Sequence, residues 1–386
     1  MGKRIVIVLL LAGILGGMLA LPAGAVDLQL AAPSAVLMDL ATGTVLYETN
    51  SHERLAPASV TKVMTLLLIM EAVDSGKISW QDTVTASEAA AAKGGSQVYL
   101  KVGETMSVEE MVKSITVSSA NDCACAMAEF LAGSEAGFVE KMNARAKELG
   151  MEDTHFVNCT GLDDEPSAAE HLTSAHDIAV MSRELLKHDD IRKYTTIWMD
   201  TVRGGKFGLS NTNKLVRFYQ GTTGLKTGYT SAAGHCLAAS AKRDGIELIA
   251  VVLHCASSAD RFSSAKALLD YGFANYALVS AEMPEPLQPV PVTLGQKAAV
   301  QPELQQAAPI LIEKGLQAAV TRTVTLAERV EAPVAAGQQL GTLTISANGE
   351  TLAEIPIIAP EAIERLTWWE LTCRLLRRLC MTMPEE

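Results

Sequence analysis

The apolar segment Ser59–Val73 constrains this chain more than any other feature. Pro57 introduces it, Gly76 closes it, and its length and its Leu66-Leu67-Leu68-Ile69-Met70 core predict a buried helix. Lys62 lies inside this strongly apolar stretch, where a cation must find partners or give up its proton. Ser59 stands three residues before it, a spacing that sets both side chains on one helix face within reach of each other. A serine hydroxyl is a weak nucleophile until a neighbouring base takes its proton. Lys62 becomes that base if desolvation and nearby positive charge lower its pKa toward neutrality. The helix N-terminus also favours negative charge developing at Ser59. Taken alone, S-x-x-K fits equally a helix cap followed by a surface lysine.

The surrounding pattern is that of a mixed domain. Ala35–Tyr47 alternates around Ala41-Thr42-Gly43 as strand, tight turn and strand. Residues 107–150 hold two or three helical stretches, with Ser107-Val108-Glu109-Glu110 as an N-terminal signal. His171–His188 reads as a helix capped by Thr173 or Ser174. After Gly221, the apolar runs His235–Ala241 and Ile246–Cys255 form strands across the hairpin signal Arg243-Asp244-Gly245. Ala265–Ala277 returns to a helical pattern. Helices bracketed by strands from both ends predict an α/β (α+β) domain over residues 26–280, with an antiparallel sheet and a helical cluster.

Pro284, Pro286, Pro289 and Pro291 then mark a stiff linker over 281–291. Val320–Val324, Leu343–Ile345 and the hairpin signal Asn348-Gly349 predict a small β-rich domain over 292–360. Residues 361–386 form an amphipathic segment: on a helix, Thr367, Glu370, Arg374, Arg377 and Arg378 share one face, and Trp368, Trp369 and several leucines cover the rest. It is too charged to span a bilayer but fits a helix lying in the interface, an attachment to the membrane surface. Packing on its own domain or on a second copy is the alternative.

The 386 residues suffice for one large domain and a smaller one. Hydrophobic residues at 48% and charged ones at 20% mark a globular chain, and a net charge of −12 gives a nucleic-acid partner no electrostatic support. Residues 1–25 read as a signal peptide: Lys3 and Arg4, the apolar run Ile5–Leu21, then Ala23-Gly24-Ala25. An uncleaved anchor is the alternative, and in either case the protein works outside the cytoplasmic membrane, on its outer face. The seven cysteines show no CxxC or Cys/His metal spacing, so no metal is expected and most read as small buried hydrophobes.

Two further motifs follow the Ser59/Lys62 pair. In Ser119-Ala120-Asn121 a hydroxyl can relay a proton to a leaving group and an amide can hold a substrate peptide group. In Lys226-Thr227-Gly228 a lysine and a hydroxyl on a strand edge can bind a carboxylate, and the glycine lets substrate backbone approach closely. Singly these fit a turn and an exposed strand. In this order they are the signature of serine acyl-enzymes of the penicillin-binding class.

With Ser-Ala-Asn as its middle motif, the chain resembles the low-molecular-mass penicillin-binding proteins that act as D-alanyl-D-alanine carboxypeptidases, whose middle motif is S-x-N. Pro57-Ala58-Ser59-Val60-Thr61-Lys62, Gly94-Gly95-Ser96, Asn158 with Gly161-Leu162, Gly224–Thr230 and Asp270-Tyr271-Gly272-Phe273 carry the resemblance. It extends over nearly the whole chain, since that family also has a signal peptide, a small β domain and a terminal amphipathic anchor. It implies that Ser59 attacks the carbonyl between two terminal D-alanines of a peptidoglycan stem peptide, with Lys62 as base. Ser119 then passes a proton to the leaving amine, Asn121 orients the substrate, and Lys226 and Thr227 hold its carboxylate. The N–H groups of Ser59 and Tyr229 form the oxyanion hole. It also implies covalent inhibition by β-lactams and no cofactor.

A class A β-lactamase would need a deacylating glutamate in an E-x-x-L-N motif, and no Leu-Asn dipeptide occurs in the chain. An endopeptidase cutting peptide crosslinks would use the same site, so the motifs leave that alternative open. A non-catalytic envelope scaffold would show a broken motif, and all three are intact.

Overall fold

The computed structural model describes residues 28–164, 166–283 and 285–381. The predicted signal segment and the last residues of the terminal segment lie outside the described residues.

The principal sheet runs Val45–Thr49, Ser34–Asp39, Ile246–Cys255, Gly234–Arg243, Thr222–Thr230 from edge to edge, every pair antiparallel. Its hairpin turns where Asp244 (φ +48°) and Gly245 (φ +85°) adopt the left-handed geometry of a tight I′-type turn. Ile246–Cys255 is buried almost throughout, which is why it reads as a continuous apolar run rather than an alternation. Period-2 alternation nonetheless sorts its side chains. Ile249, Val251 and Leu253 face a helical cluster, while Leu248, Ala250 and Val252 face the helix Ser258–Asn275.

The helical cluster holds Lys62–Asp74, Val108–Ser118, Asn121–Ala132, Glu135–Glu148 and Ala175–Leu185. Ser107, Ser134 and Ser174 each cap a helix by accepting an N–H three residues on. Ser257 does the same for Ser258–Asn275, which begins well before the predicted Ala265. The polar Ser258–Ser264 stretch disguises that first part of the helix, although Arg261 and Phe262 are buried. The helix also ends before Ala277. Tyr276–Val279 is a strand, and it pairs with Ile310–Glu313.

The second unit is β-rich. One sheet orders Glu303–Leu304, Glu350–Ile358, Gln339–Ala347 and Val320–Leu326, with the predicted hairpin at Asn348-Gly349. A smaller sheet pairs Val290–Thr293 with Ala299–Val300 and Val330–Glu331 over a core that includes Val334, Leu340 and Ile363. Ile363 bridges to Val334 and Arg365 pairs with Glu331, so residues 361–366 belong to this unit. The terminal helix starts at Trp368, not at residue 361, because Ile363 is needed in the β core. Thr367 and Glu370 form a reciprocal cap at its start. Trp368, Trp369, Leu375 and Leu376 are exposed on it. No helix among the described residues is long and apolar enough to cross a membrane.

Candidate active site

The predicted helix over Ser59–Val73 is in fact two elements: a 3-10 turn, Ala58–Thr61, leading into the α-helix Lys62–Asp74. Residues three apart eclipse in a 3-10 turn, and Lys62 Nζ lies 3.0 Å from Ser59 Oγ. Nζ also donates to the Thr160 carbonyl at 2.8 Å. The lysine is fully buried, and that burial lowers its pKa to about 7 against smaller opposing influences from Cys159 and Asp122. The expected help from nearby positive charge does not enter; desolvation alone supplies the fall.

The Thr160 carbonyl is aimed by its own loop. Asn158 Oδ1 accepts from the N–H groups of Thr160 and Gly161, and its amide donates to the Leu162 carbonyl. Gly161 has φ +81°, and a Cβ there would sit 1.8 Å from the Ala58 carbonyl oxygen, so the loop presses directly on the Ala58–Thr61 turn. His171 braces the same turn. Its Nδ1 accepts from Val157 N–H, which leaves the proton on Nε2 to be donated to Thr61 Oγ1; Thr61 in turn donates to the Ala58 carbonyl. Burial, then the His155 and Lys62 charges, lower the His171 pKa to about 4, so the ring is neutral. Nothing in the sequence singled out His171, a lone histidine outside any motif.

Ser119 follows the helix Val108–Ser118 in the left-handed conformation, φ +62°, and the chain restarts as a helix at Asn121. The break turns Ser119 Oγ toward Lys226, whose Nζ donates to it at 2.8 Å. Asn121 is clamped by its Nδ2 on the Gly94 carbonyl and its N–H on the Ser96 carbonyl, both at 2.7 Å. Its Oδ1 is buried without a hydrogen-bond partner among the described residues, a spare acceptor. Asp122, which the sequence reading gave no role, accepts from the N–H groups of Val98, Leu100 and Cys123 and so fixes the 94–100 loop beside Asn121.

The opposite wall is the edge strand Thr222–Thr230. Lys226 is buried, and that burial, followed by the charges of Lys62 and Arg261, pushes its pKa well below the usual lysine range. Thr227 Oγ1 donates to Thr212 Oγ1 at 2.6 Å. A Cβ on Gly228 would lie 2.7 Å from the Pro57 carbonyl oxygen and 3.0 Å from Ser59 N, so only glycine lets the strand and the Ala58–Thr61 turn meet. Arg261, reaching across from the helix Ser258–Asn275, donates to the Gly228 carbonyl at 3.0 Å. The Tyr229 ring is exposed and stacks on His235, centroids 4.4 Å apart. Two direct pairs, Ser59–Lys62 and Ser119–Lys226, are thus brought near each other, since the Lys62 charge acts on Lys226 and the Gly228 strand abuts the Ser59 N–H.

The matches to known proteins fit this geometry. A family model described as D-alanyl-D-alanine carboxypeptidase covers residues 22–257. The chain belongs to the D-alanyl-D-alanine carboxypeptidase family. A second model, the penicillin-binding protein 5 C-terminal domain, matches residues 281–365 and stops just before the terminal helix. The chain is 44% identical to the D-alanyl-D-alanine carboxypeptidase DacF of Bacillus subtilis over 86% of each chain. It is similar to penicillin-binding protein 5 of Haemophilus influenzae, at TM-score 0.71 and 30% identity over 87% of this chain and 98% of that one. Penicillin-binding protein D2 of Listeria monocytogenes, solved in its ampicillin-bound form, matches 63% of this chain and 98% of its own at TM-score 0.55 and 32% identity.

Among the described residues, no group of three or more His, Cys, Asp or Glu side chains is arranged to hold a metal ion. Cys123, Cys125, Cys159, Cys236 and Cys255 are free and buried. Burial raises the pKa of Cys236 to about 11, which keeps that thiol protonated and inert. The tight loop contact yields a test. Gly161→Ala places a methyl group into the Ala58 carbonyl and forces a left-handed alanine, so it should lower unfolding free energy by roughly 2 kcal/mol or more, read by urea denaturation.

Proposed function

We propose that this family member removes the terminal D-alanine from peptidoglycan stem peptides through an acyl-enzyme on Ser59. The supporting observation is the 3.0 Å contact between Ser59 Oγ and a fully buried lysine whose pKa falls to about 7. Such an amine is half unprotonated at neutral pH, close to the optimum for a general base. As Ser59 Oγ bonds to the penultimate D-alanine carbonyl carbon, its proton passes to Lys62. The C–N bond to the last D-alanine then breaks, and the leaving nitrogen takes a proton through Ser119. Asn121 Oδ1 accepts from the substrate backbone. Lys226 and Thr227 receive the terminal carboxylate, an anion that restores the charge burial takes from Lys226. The N–H groups of Ser59 and Tyr229 hold the developing oxyanion, worth about 3–4 kcal/mol per donor in serine hydrolases. Water then hydrolyses the ester and frees the shortened peptide.

The same geometry accepts a β-lactam, whose strained carbonyl and carboxylate present the same pair of groups; the ampicillin-bound relative supports this reading. The working location we propose is the outer face of the cytoplasmic membrane, after export on the residue 1–25 segment. There the exposed Trp368, Trp369, Leu375 and Leu376 enter the lipid interface. Domain limits follow at about 26–280 for catalysis and 292–366 for the β unit, with the anchor starting near Trp368.

Three outcomes are expected. Ser59→Ala should abolish both D-alanine release from a D-Ala-D-Ala peptide and the penicilloyl adduct seen by mass spectrometry; an adduct that persists removes Ser59 as nucleophile. Because Lys62 acts as its neutral amine and titrates near 7, acylation by benzylpenicillin should plateau above about pH 8. It should fall about tenfold per pH unit well below 7, as stopped-flow or gel labelling would record. Deleting residues 368–386 should move the protein from anionic vesicles to the supernatant on sedimentation, with peptide turnover unchanged.

A further inference from the structure

Glu135 sits at a junction that none of the three motifs includes. It is the first residue of the helix Glu135–Glu148, directly after the capping Ser134. One oxygen, Oε2, pairs with Lys93 Nζ at 2.6 Å. The other, Oε1, accepts from the Cys159 N–H and from its Sγ, both at 3.2 Å. Cys125 Sγ, on the helix Asn121–Ala132, approaches Oε2 at 3.8 Å. Lys93 immediately precedes Gly94, whose carbonyl clamps Asn121, and Cys159 immediately precedes Thr160, whose carbonyl holds Lys62 Nζ.

We infer that the Lys93–Glu135–Cys159 contact is a positioning strut, which sets the distance between the loop that orients Asn121 and the carbonyl that orients Lys62. The two loops are far apart in sequence, and one carboxylate spans them, with the Lys93 ion pair on one side and the Cys159 N–H and Sγ on the other. Both charged side chains are only about a fifth exposed, an environment where charge-assisted bonds are short and directional. Burial alone would raise the Glu135 pKa, but Lys93 outweighs it and holds the carboxylate ionised below its usual range. Glu135 touches no reacting atom; it acts through the two loops, and a displacement there of about 1 Å is enough to cost on the order of a hundredfold in rate.

The inference rests on the roles proposed above for Ser59, Lys62 and Asn121. The test is stopped-flow acylation by benzylpenicillin of the full-length protein, separating the dissociation constant of the non-covalent complex from the acylation rate constant. Thermal melting is followed alongside, with Ser59→Ala as control. Glu135→Gln keeps an acceptor for Cys159 N–H but loses the ion pair; Lys93→Met loses the ion pair alone; Glu135→Leu loses both arms. The acylation constant should fall about threefold to tenfold in Glu135→Gln and Lys93→Met and further in Glu135→Leu, while the dissociation constant, set by Lys226 and Thr227, stays within about twofold. Because both variants break one contact, Lys93→Met/Glu135→Gln should be no worse than the poorer single variant. Unchanged acylation in the two single variants, multiplicative losses in the double, or losses that track melting temperature and binding alike would each overturn the strut. If Glu135→Leu does not fold, Glu135→Gln and Lys93→Met decide the question. An adduct in the Ser59→Ala control would take down the underlying assignment and this inference together, whereas a silent control with fully active strut variants sinks the strut alone.

Discussion

Removing the Lys62 amine from water is the expense around which the catalytic unit is arranged. A pKa brought from 10.5 to about 7 corresponds to about 5 kcal/mol of disfavour for the charged form. A lysine left in that position with no polar neighbour would be a defect. Here the neutral amine has the Thr160 carbonyl and the Ser59 hydroxyl within 3.0 Å, so its hydrogen-bonding capacity is met without its charge. The Asn158–Leu162 loop, the His171–Thr61–Ala58 chain and the glycine at 161 all serve to keep those two acceptors still. Local strain at Ala58, with φ +49° in a non-glycine residue, is tolerated because the packing around it leaves the turn no other conformation.

A second buried lysine, Lys226, makes the cleft asymmetric in charge. Its burial, followed by the charges of Lys62 and Arg261, disfavours its ammonium form, and among the described residues no carboxylate is hydrogen-bonded to either lysine. Burial is the first cause of the lowered pKa at both lysines, so one physical effect sets the protonation of the two amines.

Much of this was legible beforehand. The strands at Ala35–Tyr47 and 235–255, the Arg243-Asp244-Gly245 turn and the Ser107 and Ser174 caps follow from periodicity and turn chemistry, which are local. The three motifs were legible because their spacing carries chemistry. What stayed hidden was set by distant contacts. The seven residues before Ala265 look polar, yet they begin a helix because Ser257 caps it and Phe262 finds the sheet. Ile363 sits in a stretch that scans as amphipathic helix, yet it pairs with Val334. His171, Asp122 and Arg261 have no motif; each acts on a backbone group brought to it by the fold, and no spacing rule announces such a partner.

The strand Tyr276–Val279 begins where the helix Ser258–Asn275 ends, and its ladder with Ile310–Glu313 joins the two units by backbone hydrogen bonds rather than by a loose tether. Lys314 adds a bond to the Phe273 carbonyl, and Arg322 another to that of Ser280. These bonds gather at the C-terminal end of that helix. Near its other end the helix carries Arg261, which grips the carbonyl of Gly228 at the mouth of the cleft. The β-rich unit is thus tied through one continuous helix to the strand that carries Gly228, so the two units share a backbone-bonded seam and not merely a covalent tether.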